Sequence, residues 1–228
     1  MNAGETTDAT LAPSQAGRCF GVGVGPGDPE LVTLKAARVL RESGVVAFFA
    51  ARGRPSNARR VVQDLLGPEH VELRLEYPIT TEVPPAGESY DSVLADFYDT
   101  AAKQLAEVLD AGRDVAVLCE GDPFFYGSFM YLHNRLSTQY AVDVVPGVPA
   151  MLAGAAQLGI PLVCRNEVLS VLSGVTPIEE LAAQIERADA AVVMKVGRNL
   201  PSVIEAVRRA GRLDDGIYVE RATVVEHR

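Results

Sequence analysis

The chain has 228 residues, 48% of them hydrophobic, enough to bury the core of one large or two modest domains. Its formal net charge of −9 excludes bulk attraction to nucleic acid or to an anionic membrane, though not a local site for an anionic substrate. The three cysteines, Cys19, Cys119 and Cys164, stand far apart without metal-ligand spacing, which excludes a disulfide framework and a thiolate metal site and predicts free thiols in a reducing compartment.

Residues 1–17 are small and polar, with neither a basic start nor an apolar core, and read as a disordered tail rather than a secretory signal. No apolar run approaches the ~20 residues of a membrane span. Residues 18–24 are apolar and β-branched and predict a first strand. A helix is expected to start at Asp28, which suits a cap, with Pro29 in the first position and Glu30 at the positive end. Leu31, Leu34, Ala37 and Leu40 give it one apolar face, and Gly44 stops it. Residues 45–50 predict a second strand, 58–66 a short helix and 71–75 a third strand. Residues 77–88 hold three prolines and predict an unusually long loop, a feature often tied to function.

A long helix is expected over 89–111, a strand over 115–119, a helix over 124–137 and a strand over 142–145. The second half repeats the alternation. Helices are expected over 149–158, 177–187 and 200–210, and strands over 168–172, 190–196 and 217–221. Strands alternating with helices predict a parallel α/β architecture. A boundary near Val145 gives two successive α/β domains, 18–145 and 146–228.

Three turns follow three of these strands directly. The first is Gly21-Val22-Gly23-Val24-Gly25-Pro26-Gly27-Asp28-Pro29, the second Glu120-Gly121-Asp122-Pro123, the third Pro146-Gly147-Val148-Pro149-Ala150. Ligands of open α/β sheets bind at the carboxyl ends of strands, so the three turns point to one composite small-molecule site where two sheets meet. A dinucleotide is disfavoured. The G-x-G-x-x-G pattern is broken, and the second strand ends in Phe48, Phe49, Ala50 and Ala51 rather than in an acidic residue. Two carboxylates and a glycine in the second turn, with no lysine, suit a ligand bearing hydroxyls, an amine and a positive sulfur better than a phosphate. The competing reading makes Asp122 a helix cap and the glycines mere tight turns. The histidines His70, His133 and His227 do not cluster, and neither a Ser-His-Asp nor a Cys-His set is visible.

The motifs resemble those of a known family. Residues 23–36, Gly-Val-Gly-Pro-Gly-Asp-Pro-Glu-Leu-Val-Thr-Leu-Lys-Ala, are similar to the opening signature of the tetrapyrrole (corrin and porphyrin) methyltransferases. Residues 120–128 resemble the second signature and 144–150 the third, in the same order and at similar spacing, and the likeness spans 18 to about 221. Stretches 124–136, 150–156 and 193–198 look most like members acting at C-20 of precorrin-2. The resemblance implies two consecutive αβα domains with a ligand cleft between them, S-adenosylmethionine as cofactor and a homodimer. By position it assigns cofactor contacts to Pro26, Glu120, Gly121, Asp122, Phe125, Ser128, Pro149, Ala150, Met194, Lys195 and Val196. Many relatives have threonine or serine where Pro149 stands, so only its backbone is expected to take part. Relatives also normally run past 220–223 into further strands, whereas this sequence stops at Arg228, so the chain is expected to be trimmed or its second sheet to be short of an edge.

Methyl transfer to a ring carbon asks for alignment more than for a strong acid or base, and alignment supplies roughly 7–11 kcal/mol. Glu120, Asp122 and Tyr126 are the candidates to accept the proton that the methylated carbon loses. Arg52, Arg54, Arg59, Arg60 and Arg165 are candidates for the substrate carboxylates, which guanidinium forks bind bidentately. Two other readings stay open: a sibling enzyme acting on another ring carbon or a cobalt-bearing ring, and a non-catalytic protein that only binds the cofactor.

Overall fold

The computed structural model describes residues 16–79 and 89–224. Nearly all of the expected tail, and the loop from 80 to 88, lie outside them. In the first half the apolar runs become five strands: β1 (Cys19–Gly23), β2 (Val45–Ala51), β3 (Val71–Tyr77), β4 (Val115–Cys119) and β5 (Val142–Val145). They form one parallel sheet in the order β3-β2-β4-β1-β5.

All five residues of the central strand β4 are buried. Val115, Val117 and Cys119 join a core cluster with Leu105 and Leu109 of α3 (Tyr90–Asp110) and Phe129 and Leu132 of α4 (Phe129–Leu136). Ala116 and Leu118 join a second cluster with Val39 and Leu40 of α1 (Leu34–Glu42) and Ala58 and Val61 of α2 (Asn57–Val61). A strand covered on both faces needs an apolar side chain at every position, which is why these runs are continuous. Burial of one such side chain contributes roughly 1.5–3 kcal/mol. Gly21 of β1 is part of the same packing: a Cβ there would lie 2.3 Å from the ring of Phe129, which is fully buried.

The chain divides into two compact units. One comprises residues up to Val24 with Val32–Gly147; the other comprises Gly25–Leu31 with the residues from Val148 onward. The second unit contains α5 (Ala150–Leu158), a parallel pair of strands, β6 (Leu169–Ser173) and β7 (Ala190–Met194), and the helices α6 (Ile178–Arg187) and α7 (Leu200–Arg209). Leu181, Ala182 and Ile185 of α6 pack with Val203 and Ala206 of α7, and Leu172 and Val193 of the two strands rest against them.

Four expectations from sequence are corrected. The helix expected from Asp28 begins only at Leu34. The Asp28 carboxylate accepts from Glu30 N at 2.8 Å and closes a 3₁₀ turn, Pro29–Leu31, and Thr33 then caps α1 by accepting from Ala36 N at 3.1 Å. This restart sets a new phase, so the buried stripe is Ala36, Val39 and Leu40, and Leu34 is 90% exposed. The helix expected over 58–66 splits into α2, capped by Ser56, and a 3₁₀ turn, Gln63–Leu65. The helix expected from Phe124 begins at Phe129, because Tyr126 takes φ 54. The strand expected over 217–221 is absent: Arg221 takes φ 51, which ends any extended run, and Ile217, Tyr218 and Val219 are exposed.

One ion pair ties α2 to the edge strand β3. Arg59 donates from Nε to Glu72 Oε2 at 2.9 Å and from Nη2 to Oε1 at 2.7 Å. That fork holds the Glu72 carboxyl below its ordinary value of 4.5. A lowered folded value stabilises the fold above the unfolded value, and the benefit is lost as pH falls through the folded value. Glu72→Gln should therefore cost at most about 1 kcal/mol at neutral pH, since the pair is partly exposed. In urea denaturation followed against pH, the gap to the wild type should close below about pH 4.

Candidate active site

β1 and β4 are neighbours in register, Gly23 beside Cys119, and Val24 N donates to Cys119 O at 2.9 Å. From β1 the chain crosses to β2 and β3; from β4 it crosses to β5 on the opposite side. The carboxyl ends of β1 and β4 therefore flank a topological switch point, where doubly wound sheets hold their ligands. The second turn emerges there. Glu120 is exposed and, among the described residues, accepts only a long hydrogen bond, 3.4 Å, from Asn57 Nδ2, so its carboxylate has capacity for a ligand. Gly121 takes φ 71.

Behind Glu120 three glycine backbones touch. A Cβ on Gly147 would lie 2.0 Å from Gly121 O, and one on Gly23 would lie 2.5 Å from Gly147 N and 2.8 Å from Gly121 O. Asp122 fastens this contact. Its Oδ1 accepts from Phe124 N at 2.9 Å and its Oδ2 accepts from Gly147 N at 3.0 Å. Both oxygens of Asp122 thus serve backbone amides and join the second turn to the third. Phe125 and Tyr126 follow, their rings 5.1 Å apart and nearly perpendicular. Tyr126 is 37% exposed, and the Ser128 hydroxyl lies 2.5 Å from Tyr77 OH.

The arginine loop is ordered from below. Arg74 of β3 donates from Nη2 to Ala51 O at 3.0 Å and to Arg54 O at 2.7 Å, and Gly53 takes φ 67 between them. The loop presents the Arg52 and Arg54 side chains to solvent, Arg52 with a loose pairing to Glu76 at 3.6 Å. Arg59 spends its fork on Glu72, and Arg60 reaches Asn57 Oδ1 at 3.4 Å.

Pro26 in the second unit stands between Gly25 (φ 77) and Gly27 (φ 151). A Cβ on Gly27 would meet Val224 Cγ2 at 2.9 Å and Thr223 Oγ1 at 3.3 Å. The Thr223 hydroxyl is buried and has no hydrogen-bond partner among the described residues. Pro149 caps α5 with its backbone alone, accepting from Leu152 N at 3.1 Å, and Ala150 opens the helix. At the end of β7, Met194 O accepts from Gly174 N at 2.6 Å, and Lys195 takes φ 59 before Val196. Arg165 takes φ 51 and is exposed beside Cys164.

Among the described residues, the non-glycine residues with left-handed backbone are Tyr126, Arg165, Lys195 and Arg221. Such positions cost roughly 1–3 kcal/mol each and gather at functional sites. Three of the four are residues singled out from sequence. Arg221 and Thr223 were missed, because a strained arginine and an orphaned hydroxyl carry no local signature. Cys19 and Cys119 are buried, and burial pushes the Cys19 thiol up to about 12, so neither is a nucleophile. Cys164 is exposed, its amide donating to Glu167 Oε2 at 2.7 Å. No group of three or more His, Cys, Asp or Glu able to hold a metal occurs among the described residues, and none of their helices is long and apolar enough to cross a membrane.

The family described as tetrapyrrole (corrin/porphyrin) methylases matches residues 18–228. The chain belongs to the tetrapyrrole methylases. A precorrin-2 C(20)-methyltransferase of Sinorhizobium sp. is 50% identical over 91% of this chain and 85% of its own. A cobalt-precorrin-2 C(20)-methyltransferase of Salmonella typhimurium is 30% identical over 91% of this chain and 85% of its own. Among solved tetrapyrrole methylases, uroporphyrin-III C-methyl transferase from Thermus thermophilus complexed with S-adenyl homocysteine superposes with a TM-score of 0.55. It is 30% identical and covers 85% of this chain and 77% of its own. The α/β architecture of this chain is the tetrapyrrole methylase fold.

The three-turn contact makes two predictions. Gly147→Ala should cost about 3 kcal/mol, because a backbone carbonyl has no room to retreat. Asp122→Ala should cost about 2 kcal/mol by stranding two amides. Urea denaturation measures both.

Proposed function

We propose that this chain transfers a methyl group from S-adenosylmethionine to C-20 of precorrin-2, giving precorrin-3A in cobalamin synthesis. The observation that carries this reading is the exposed Glu120 turn at the switch point of a tetrapyrrole methylase sheet. The chain is also half identical to an enzyme named for that reaction, against 30% for one named for the cobalt-bearing substrate, and this favours the metal-free ring.

The residues fit the cofactor. Glu120 offers a carboxylate to an amine or to hydroxyls, and no lysine stands in the turn to demand a phosphate. The Thr223 hydroxyl, buried beside Gly27 and without a partner among the described residues, suits a polar ligand. In this reading Glu120, Gly121, Phe125 and Ser128 of the first unit and Pro26, Pro149, Ala150, Met194, Lys195 and Val196 of the second hold S-adenosylmethionine. When bound, that group supplies an electrophilic methyl on a positive sulfur. The chain's own part is to align the ring carbon and exclude water. Glu120 Oε and the Tyr126 hydroxyl are the groups proposed to take the proton that leaves the ring. Asp122 keeps the turn in shape, since both of its oxygens already accept amides.

Arg52 and Arg54, and in the second unit Arg165, are proposed to meet the ring's carboxylates. A cytoplasmic homodimer is also proposed. Free buried thiols support the reducing compartment. Sedimentation at micromolar concentration tests the dimer.

Precorrin-2 incubated anaerobically with methyl-labelled cofactor should gain one methyl by mass spectrometry, placed at C-20 by NMR. A label at another carbon, or turnover only with cobalt-factor II, would overturn the assignment. Arg52→Ala with Arg54→Ala should raise KM for precorrin-2 by at least about tenfold, since the loss of even one of the two charge-assisted contacts costs that much. The affinity for S-adenosylmethionine should not change.

A further inference from the structure

The segment 124–128 resists its own periodicity, which favours helix. Tyr126 is held at φ 54, in a region that non-glycine residues rarely adopt. Gly127 is packed so that a Cβ would lie 2.6 Å from Pro123 O and 3.0 Å from Asp122 O. Ser128 stands at the N-cap of α4 but makes no side-chain capping bond. Its hydroxyl goes to Tyr77 OH instead, at 2.5 Å. Tyr98 belongs to the same aromatic cluster, its ring 6.4 Å from Phe49 and 5.1 Å from Phe97.

Both tyrosines are fixed by rigid elements. Tyr77 is the last residue of β3 and stacks on Phe49 at 5.5 Å, with Phe97 at 4.7 Å on another side. Tyr98, on α3, is 4% exposed and stacks on Tyr131 at 4.6 Å. Burial pushes both phenols above their usual range, so both keep their protons and remain donors at working pH. The Tyr77 and Ser128 hydroxyls satisfy each other, and removing either leaves the other short of a partner.

We propose that Tyr77, steadied by the aromatic cluster it shares with Tyr98, is a positioning residue: through Ser128 it holds the segment 120–128 in the non-helical conformation that presents Glu120, Phe125 and Tyr126 to the cofactor. The proposal rests on the methyltransferase reading of that turn. Neither tyrosine touches a reactant. Their effect is on the fraction of molecules whose turn is already shaped for binding, and apparent affinity falls in proportion to that fraction. Without the pin the segment relaxes toward the helix its sequence favours, and each binding event must reverse that change.

The test is isothermal titration of S-adenosylmethionine into the full chain, with turnover of precorrin-2 measured beside it. Tyr77→Phe keeps the ring and drops the hydroxyl. It should raise the cofactor Kd about tenfold, the size of one buried hydrogen bond, while kcat at saturating cofactor and KM for precorrin-2 stay within about twofold. Ser128→Ala should do the same. The double variant should be no worse than the worse single, because both remove one contact. Tyr140→Phe is the control: it removes a hydroxyl bonded to Asp110 in the same unit and should leave Kd unchanged. A wild-type Kd in Tyr77→Phe or Ser128→Ala, additive losses, or an equal rise in Tyr140→Phe overturns the pin alone. A wild-type chain that binds no S-adenosylmethionine overturns the methyltransferase reading and the pin with it.

Discussion

The contact among Gly23, Gly121 and Gly147 is made by backbone alone, with no side chain between the three strand ends. Any Cβ at Gly23 or Gly147 would force them apart, and the Asp122 carboxylate bonds across the gap that remains. The Glu120 turn and the 124–128 segment are built outward from this knot. Glu120 is aimed outward because Gly121 behind it takes a left-handed turn and its carbonyl is packed against Gly147. The 124–128 segment starts from an amide that Asp122 already holds. A binding surface made from strand ends needs a floor that does not move, and close-packed backbone is among the stiffest floors a protein can form.

Rigidity there is set against strain nearby. Left-handed Tyr126 and the tight Gly127 are tolerated because the ends of their segment are tied, one by Asp122 and the other by Ser128. The same division appears in the arginine loop, whose carbonyls are gathered by Arg74 while Arg52 and Arg54 are left outside. In both places a polar side chain from the frame organises a backbone that itself displays the functional groups.

Much of this was legible in the sequence. Strands covered on both faces leave continuous apolar runs, as at β4, and the seven strands of the described residues were all expected, together with an eighth over 217–221 that is absent. The three turns were visible because glycine and proline punctuate them. What escaped was phase and partnership. Asp28 looked like a helix cap and does accept an amide, but Thr33, five residues later, caps the helix that forms, and a restart there rotates the whole apolar stripe. The helix at Phe124 failed because Tyr126 takes left-handed backbone, and Ser128, at the N-cap of the helix that does form, has its hydroxyl on a tyrosine of β3 distant in sequence. Asp122 was read as cap or ligand and is chiefly a brace, a role that depends on Gly147 N, which no local pattern announces. Arg59, a candidate for the substrate carboxylates by its place in the arginine cluster, gives its fork to Glu72 of the neighbouring strand, distant from any local pattern.

The three thiols differ sharply in their surroundings: Cys19 and Cys119 lie inside the first sheet, and Cys164 lies on the surface of the second unit. A maleimide dye applied to the native chain would therefore attach at a single known position, next to the left-handed Arg165. The unmutated protein comes with its own attachment point for a fluorophore or spin label, and ligand arrival in solution becomes observable without engineering a cysteine.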